Sequence, residues 1–370
     1  VEDNRCTVPF TEPFTVRLQD RHVTACCKLP EHYFDVSSKL LTPKIIELRK
    51  YILNNERHPD CASCWKKDDE NGLSYRRHAS RHIRFPLDWN EDTWKTLDPY
   101  QSVKSIQIAF SNKCQMMCVY CHPRISSMWE DSADKFSIYE NRRIAIHHLP
   151  EVDLNRILDT EELMYIGITG GEPMLELPAI KFLEELEPNN NRRMAITTNL
   201  SYGNVVFNKL LGIIDRHKHI DVMSSIDSIE KTPSRKYLNW DLWKKNFEIL
   251  VEGFPERHRL FPDIRIGVII TVNILTYKDI QSVIEYILSF RRKGINPVFI
   301  INPVDDDNIV SLRSGRLDPN FSIQLSDEDA KYLTKPEKIR IDAFNKFIKG
   351  CTVDEELEKR SQKFLSEYLE

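Results

Sequence analysis

The chain has 370 residues, 41% apolar and 29% charged, with a formal net charge of −4 at pH 7. That length can bury a core without a disulfide scaffold, and the composition excludes a fibrous or globally disordered protein. The charge balance supplies no overall attraction to nucleic acid or an anionic membrane, and the longest apolar stretch, residues 264–275, is interrupted by Arg265 and Asn273 and too short to cross a bilayer. The N-terminus lacks the basic start, apolar middle and small-residue cleavage site of a secretory signal, so the expected location is cytoplasmic.

In chain order, the first hundred residues hold short extended runs at 14–18 and 22–25 and one clear helix over Pro43–Leu53. They read as a small cysteine-rich module. Eight of the nine cysteines precede residue 122, and in a reducing compartment that clustering favours metal ligation over disulfides. Cys6, Cys26, Cys27, Cys61 and Cys64 put four or five thiolates in one region, enough for a complete metal site. Either zinc or an iron–sulfur cluster accepts such a set. The basic run 75–84 reads as a solvated face, with capture of an acidic peptide or nucleic acid as its functional alternative.

From about residue 104 the sequence alternates β-branched runs with amphipathic stretches. Strands are expected at 105–110, 165–169, 194–198, 221–226, 265–272 and 297–301. Helices are expected at 179–186, 205–216, 240–251 and 278–290. This predicts an α/β fold, a partial (β/α)6 TIM-like barrel over 101–304, with functional groups at the C-terminal ends of its strands. The module occupies 1–100, and a helical extension over 305–370 carries helices at 327–333, 336–348 and 353–369. Cys351, alone in that tail, reads as a small buried or half-buried residue.

Four motifs fall at strand ends. Cys114-Gln-Met-Met-Cys118-Val-Tyr-Cys121 follows the first strand, and three thiolates on a four-iron cluster leave one iron open to a small molecule. Zinc, which prefers four ligands in Cys-x-x-Cys pairs, fits that spacing poorly even with His122 as a fourth donor. Thr169-Gly170-Gly171-Glu172-Pro173 ends the second strand, Thr197-Thr198-Asn199 the third and Ser224-Ser225-Ile226-Asp227 the fourth. Asn273 follows the fifth. Taken singly, each also reads as a turn or a helix cap.

The cysteine spacing, with Tyr120 in the aromatic place, resembles the radical S-adenosylmethionine (SAM) superfamily, and the order of the other motifs over about 104–304 matches it. The resemblance implies a [4Fe–4S] cluster on Cys114, Cys118 and Cys121, with the amino and carboxylate groups of SAM on the open iron. It further implies a SAM pocket involving Tyr120, Gly170, Gly171, Glu172, Pro173, Asn199, Ser225 and Asp227. Ser225 and Asp227 would meet the ribose hydroxyls. The first step, reductive cleavage of SAM to a 5′-deoxyadenosyl radical that abstracts hydrogen from a substrate, requires no side-chain acid or base.

The N-terminal cysteines, Leu48-Arg49, Gly72-Leu-Ser-Tyr-Arg76 and Ser126-Ser-Met-Trp129 resemble the SPASM or twitch module that carries a second [4Fe–4S] cluster, although that module normally follows the barrel. The implied ligands are Cys6, Cys26, Cys61 and Cys64, with Cys27 as the alternative to Cys26 and zinc as the alternative metal. By the same resemblance the substrate is a peptide or protein side chain, and the electron donor a flavodoxin or ferredoxin. A small carbohydrate- or nucleoside-like substrate is the alternative, and a metal-stabilised binding module without turnover is the non-enzymatic one. The oligomeric state is left open.

Overall fold

The β-branched runs become strands because each can bury both faces under helices, the arrangement that parallel sheets require. A computed structural model describes residues 4–19, 22–26, 29, 40–69, 74, 76, 91–136, 163–253, 265–304 and 308–369. Within them lie β1 (Phe14–Arg17), β2 (His22–Thr24), β3 (Ser105–Ala109), β4 (Met117–Cys118), β5 (Tyr165–Thr169), β6 (Arg193–Thr198), β7 (Ile220–Ile226), β8 (Arg235–Lys236), β9 (Ile266–Val272) and β10 (Val298–Pro303). Eight of them form a sheet in the order β10-β9-β7-β6-β5-β3-β1-β2, and β4 pairs with β8 in a separate ribbon. From β3 to β10 the order in the sheet follows the order in the chain. This is the expected α/β winding; the sheet stays open rather than closing into a barrel.

Internal contacts divide the chain into two compact units. One comprises Val1–Ser111, Ile146–Gly170 and Asn189–Ala195. In it β1 runs antiparallel to β2, with Val16 opposite Val23, and parallel to β3, with Val16 opposite Ile108. β3 in turn runs parallel to β5, with Ile108 opposite Ile168. All four of these apolar side chains are buried. The N-terminal residues thus extend the sheet beyond β3, joined to it by main-chain hydrogen bonds in register.

The helix Pro43–Leu53 begins where the Thr42 side chain accepts the Ile45 amide and a proline fills the first turn. It buries Ile45, Leu48 and Ile52, and with them the cation of Arg49. The Arg49 guanidinium donates to the carbonyls of Pro9 (3.0 Å) and Gln101 (2.7 Å) and lies over the rings of Phe10 and Phe14. One buried side chain therefore ties three separated stretches of backbone together.

The second unit comprises Asn112–Ala145, Gly171–Pro188 and Ile196–Glu370. Here β7, β9 and β10 run parallel, with Ser224 opposite Val268 and Val268 opposite Phe299. The helices Leu177–Glu185, Asn204–Arg216, Trp240–Glu252 and Ile280–Arg291 each bury one apolar stripe, within two residues of their expected bounds. The tail helix Lys335–Gly350 starts with a capping box of Thr334 and Glu337, and Glu337 also pairs with buried Arg291 at 2.6 Å. The first expected tail helix shrinks to Asp327–Ala330, one turn capped by Ser326. No described helix is long and apolar enough to cross a membrane.

Candidate active site at the Cys114–Cys121 loop

After β3 the chain leaves the sheet, and the loop that follows must satisfy its backbone polar groups without a neighbouring strand. The segment 126–130 does much of this. Ser126 Oγ donates to the Met116 carbonyl (2.7 Å), Ser127 Oγ accepts from the Cys114 amide (3.1 Å), and Trp129 Nε1 donates to the Cys118 carbonyl (2.7 Å). Asn112 anchors the entry, donating to Pro123 O and Glu130 Oε2. With the backbone held from outside, the three thiols need not serve as its partners.

The two-residue strands β4 and β8 complete the scaffold, placing Met117 opposite Lys236 and Cys118 opposite Arg235. Strands of two residues carry no periodicity, so nothing in the sequence marks them. Across the ribbon Arg235 Nη1 donates to Cys118 Sγ at 3.8 Å. Arg235 Nε donates to Asp227 Oδ1 at 2.8 Å, and the guanidinium lies over the Tyr120 ring, 5.6 Å from its centroid.

The thiols differ in acidity. Burial, and then the charge of Cys118, pushes Cys114 up to about 12. Cys118 is held below the ordinary thiol range by a hydrogen bond from Cys121 and by the Arg235 cation, against the cost of burial. Cys121 is pushed well up, by donating that hydrogen bond and by burial. Three sulfurs in electrostatic reach of one another, one of them beside a buried cation, are a soft donor set suited to an iron–sulfur cluster. Among the described residues no three Cys, His, Asp or Glu donors converge where one ion would sit. Thiolates on separate irons of a cluster do not need to converge so closely.

The glycines of the second motif approach protein backbone. Gly170 has φ +123°, and a Cβ there would stand 2.7 Å from Ser111 O; one on Gly171 would stand 2.2 Å from Lys113 O. The Glu172 amide donates to Lys113 O at 2.7 Å. The close approach allowed by the bare backbone is therefore to the chain entering the cysteine loop.

Glu172 is fully buried, and its carboxylate accepts from Asn199 N (2.6 Å), Thr198 Oγ1 (2.8 Å) and Met174 N (3.1 Å). Burial outweighs these donors and pushes its acidity up to about 7. It brackets the end of β6 rather than facing open space. Pro173, also buried, opens a single 3₁₀ turn behind it.

Asn199 and Gln115 form a reciprocal amide pair, with 3.1 Å in each direction, so Asn199 holds the cysteine loop. Asp227 was expected to meet a ribose; its carboxylate is engaged from three sides, by Tyr120 OH (2.9 Å), Arg235 and Ser234 Oγ. Tyr120 accordingly directs its hydroxyl to Asp227. Ser225 is the one half-exposed residue of β7, and its hydroxyl has no partner among the described residues. Asn273 is fully buried at the end of β9, and its Nδ2 has no hydrogen-bond partner. A ligand acceptor would satisfy such an orphan donor.

The tail helix Glu355–Leu369 packs on this loop. Trp129 stacks on Phe364 and Tyr368 with ring centroids 5.9 and 5.7 Å apart, and Tyr368 OH donates to Met117 O at 2.5 Å. The sequence reading missed Gln115, Ser234, Arg235 and Tyr368 as site residues. Gln115 is a spacer position of the cysteine motif and the other three sit in no motif, though Arg235 follows Asp227 by only eight residues.

In the other unit, Cys6, Cys26, Cys61 and Cys64 line one cavity together with Trp65 and Arg76. None of the four is in a disulfide. Burial first, then the neighbouring thiols Cys61 and Cys64, pushes Cys6 up, and burial with Cys64 and Asp60 pushes Cys61 to about 12. Arg76 donates to Asp68 from Nε (3.0 Å) and Nη2 (2.5 Å) and lies over the Trp65 ring at 4.7 Å. Cys27 and, apart from Arg76, the basic run 75–84 lie outside the described residues.

Two comparisons bear on these sites. Residues 108–287 match the model of the Radical SAM superfamily. A probable GTP 3′,8-cyclase of Methanocella arvoryzae is 30% identical over 104 residues, which is 28% of this chain and 29% of that protein.

Proposed function

We propose, from the match of residues 108–287 to the Radical SAM superfamily, that this chain is an enzyme whose Cys114, Cys118 and Cys121 hold a [4Fe–4S] cluster with SAM on the open iron. When bound, the cluster and SAM supply one-electron reductive cleavage to methionine and a 5′-deoxyadenosyl radical, which takes hydrogen from the substrate. The chain's own part is to hold three sulfurs in one loop, to keep their backbone satisfied from Ser126, Ser127 and Trp129, and to offer Ser225 and Asn273 as free polar groups. The observation that carries the reading is that loop, with its three thiols outside any disulfide and a buried cation beside Cys118.

In the N-terminal site we assign Cys6, Cys61, Cys64 and either Cys26 or Cys27 to a second [4Fe–4S] cluster. It would accept an electron from the substrate radical or orient the substrate. Four thiols lining one cavity support a cluster there; zinc, the alternative metal, would need the donors to come closer together than they stand.

The substrate is a peptide or protein side chain, by the similarity of the cysteine module to peptide-modifying enzymes. A nucleotide is the second reading, favoured by the name of the Methanocella relative. A flavodoxin or ferredoxin supplies the electron.

Anaerobic iron and sulfide analysis with a 5′-deoxyadenosine assay tests these assignments. About eight irons with SAM cleavage are expected, falling to about four without cleavage in Cys114→Ala/Cys118→Ala/Cys121→Ala. Cleavage with zinc in place of the second four irons would make the N-terminal site structural. No cleavage after competent reconstitution would leave a binding module.

A further inference from the structure

Arg235 and Asp227 are 5% and 1% exposed, and a buried ion pair is seldom the cheapest way to fill space: apolar residues of the same volume often do as well. The pair's surroundings show what it is built to do. Asp227 holds the Nε edge of the guanidinium, while Tyr120 OH and Ser234 Oγ occupy its other acceptor positions. The Tyr120 ring lies against the guanidinium, and the β4–β8 register fixes Arg235 opposite Cys118. What remains free to act is the Nη1 corner, which points at Cys118 Sγ from 3.8 Å. Only a planar fork can give one edge to a carboxylate and another corner to a sulfur; a lysine in this place would keep the charge and lose the geometry.

We propose that Arg235 is a positioning residue that donates a guanidinium N–H to the Cys118 thiolate and thereby raises the reduction potential of the cluster on that thiolate. The inference rests on the reading of Cys118 as a cluster ligand. Reduction adds one electron and no proton, so the reduced cluster carries one more negative charge than the oxidised one. A cation and a hydrogen bond at a ligand sulfur stabilise the more negative state, and their removal lowers the potential. Asp227, Ser234 and Tyr120 are then the support that keeps the donor aimed.

The test is a potentiometric titration of the reconstituted full-length chain, followed by electron paramagnetic resonance, with iron counted in every sample. The signal absent from Cys114→Ala/Cys118→Ala/Cys121→Ala belongs to the loop cluster. If no signal depends on those cysteines, the cluster reading itself fails, before Arg235 is at issue. With the cluster in place, Arg235→Met is expected to shift the reduction equilibrium at least tenfold toward the oxidised form, 59 mV for one electron. Arg235→Lys is expected to shift it in the same direction by less.

The double variant Arg235→Met/Asp227→Asn removes one charge of each sign. Its midpoint is expected to stay below that of the unsubstituted chain, because the hydrogen bond is still missing. A return to the original midpoint would reduce the effect to charge balance and overturn the proposed bond. An unchanged midpoint in Arg235→Met or Arg235→Lys would overturn the inference as well. So would loss of loop iron from both, since that assigns Arg235 to assembly of the loop rather than to its potential.

Discussion

The two cysteine sites reach similar surroundings by opposite routes. The loop site takes its thiols from eight consecutive residues, Cys114 to Cys121, and holds them with side chains from the next turn, Ser126, Ser127 and Trp129. The N-terminal site gathers Cys6, Cys26, Cys61 and Cys64 from distant points in the chain, around a cavity that Leu48 and Ile52 of the helix Pro43–Leu53 also line. Yet each ends with a buried Arg–Asp pair against an aromatic ring: Arg235–Asp227 on Tyr120, and Arg76–Asp68 on Trp65. A buried cation is the common answer to sulfurs that must carry negative charge in a dry place. How the sulfurs are collected is free to vary.

The sharpest way to break this comparison is to empty one site and watch the other. Cys61→Ala/Cys64→Ala is expected to lose about four irons per chain and keep SAM cleavage, because the loop site is braced from its own neighbourhood. Loss of all iron in that variant would show that the sites are not independently built.

A second test concerns a difference in charge bookkeeping. Asp68 is paired with Arg76, whereas Glu172, beside the loop site, makes no ion pair among the described residues and is raised by burial to about 7 from 4.5, against the more distant Arg235 charge. Folded Glu172 keeps a proton that the unfolded chain releases, so its contribution to stability is fully present below about pH 4.5 and is lost as pH rises to about 7. Denaturant titrations are expected to show wild type losing roughly 3 kcal/mol across that window relative to Glu172→Gln, which cannot titrate. Parallel pH profiles for the two proteins would remove Glu172 as the cause.

The smallest effect is expected at Tyr368. Tyr368→Phe keeps the stacking on Trp129 and removes the hydrogen bond to Met117 O, at a cost of about 1 kcal/mol. Chelator-driven loss of loop iron should quicken about fivefold, matching that energy, while iron in the N-terminal site leaves at its usual rate. Equal acceleration at both sites would point to global destabilisation instead.

The same contrast explains what could be read from sequence. β5 and the helix Pro43–Leu53 were located to the residue, the strand by a short apolar run buried on both faces and the helix by a period that buries one face. The loop cysteines were legible because their spacing is local. Asn199 and Asp227 were legible as polar residues at strand ends, and packing adds what their types could not show, that Gln115, Arg235 and Ser234 are their partners within the chain. Likewise Gly170 and Gly171 were legible as a tight backbone approach, and packing adds that Ser111 and Lys113 are the neighbours approached. Arg235 and Tyr368 were illegible because a ribbon of two-residue strands and a hydrogen bond between residues 251 apart leave no pattern in composition or period.

That span also sets a timetable. The ribosome delivers Met117 long before Tyr368, by roughly 13 to 50 s at ordinary synthesis rates of about 5–20 residues per second. Throughout that interval the nascent cysteine loop lacks the stacking of Phe364 and Tyr368 on Trp129, so the loop can reach its final packing only once residue 368 has been made.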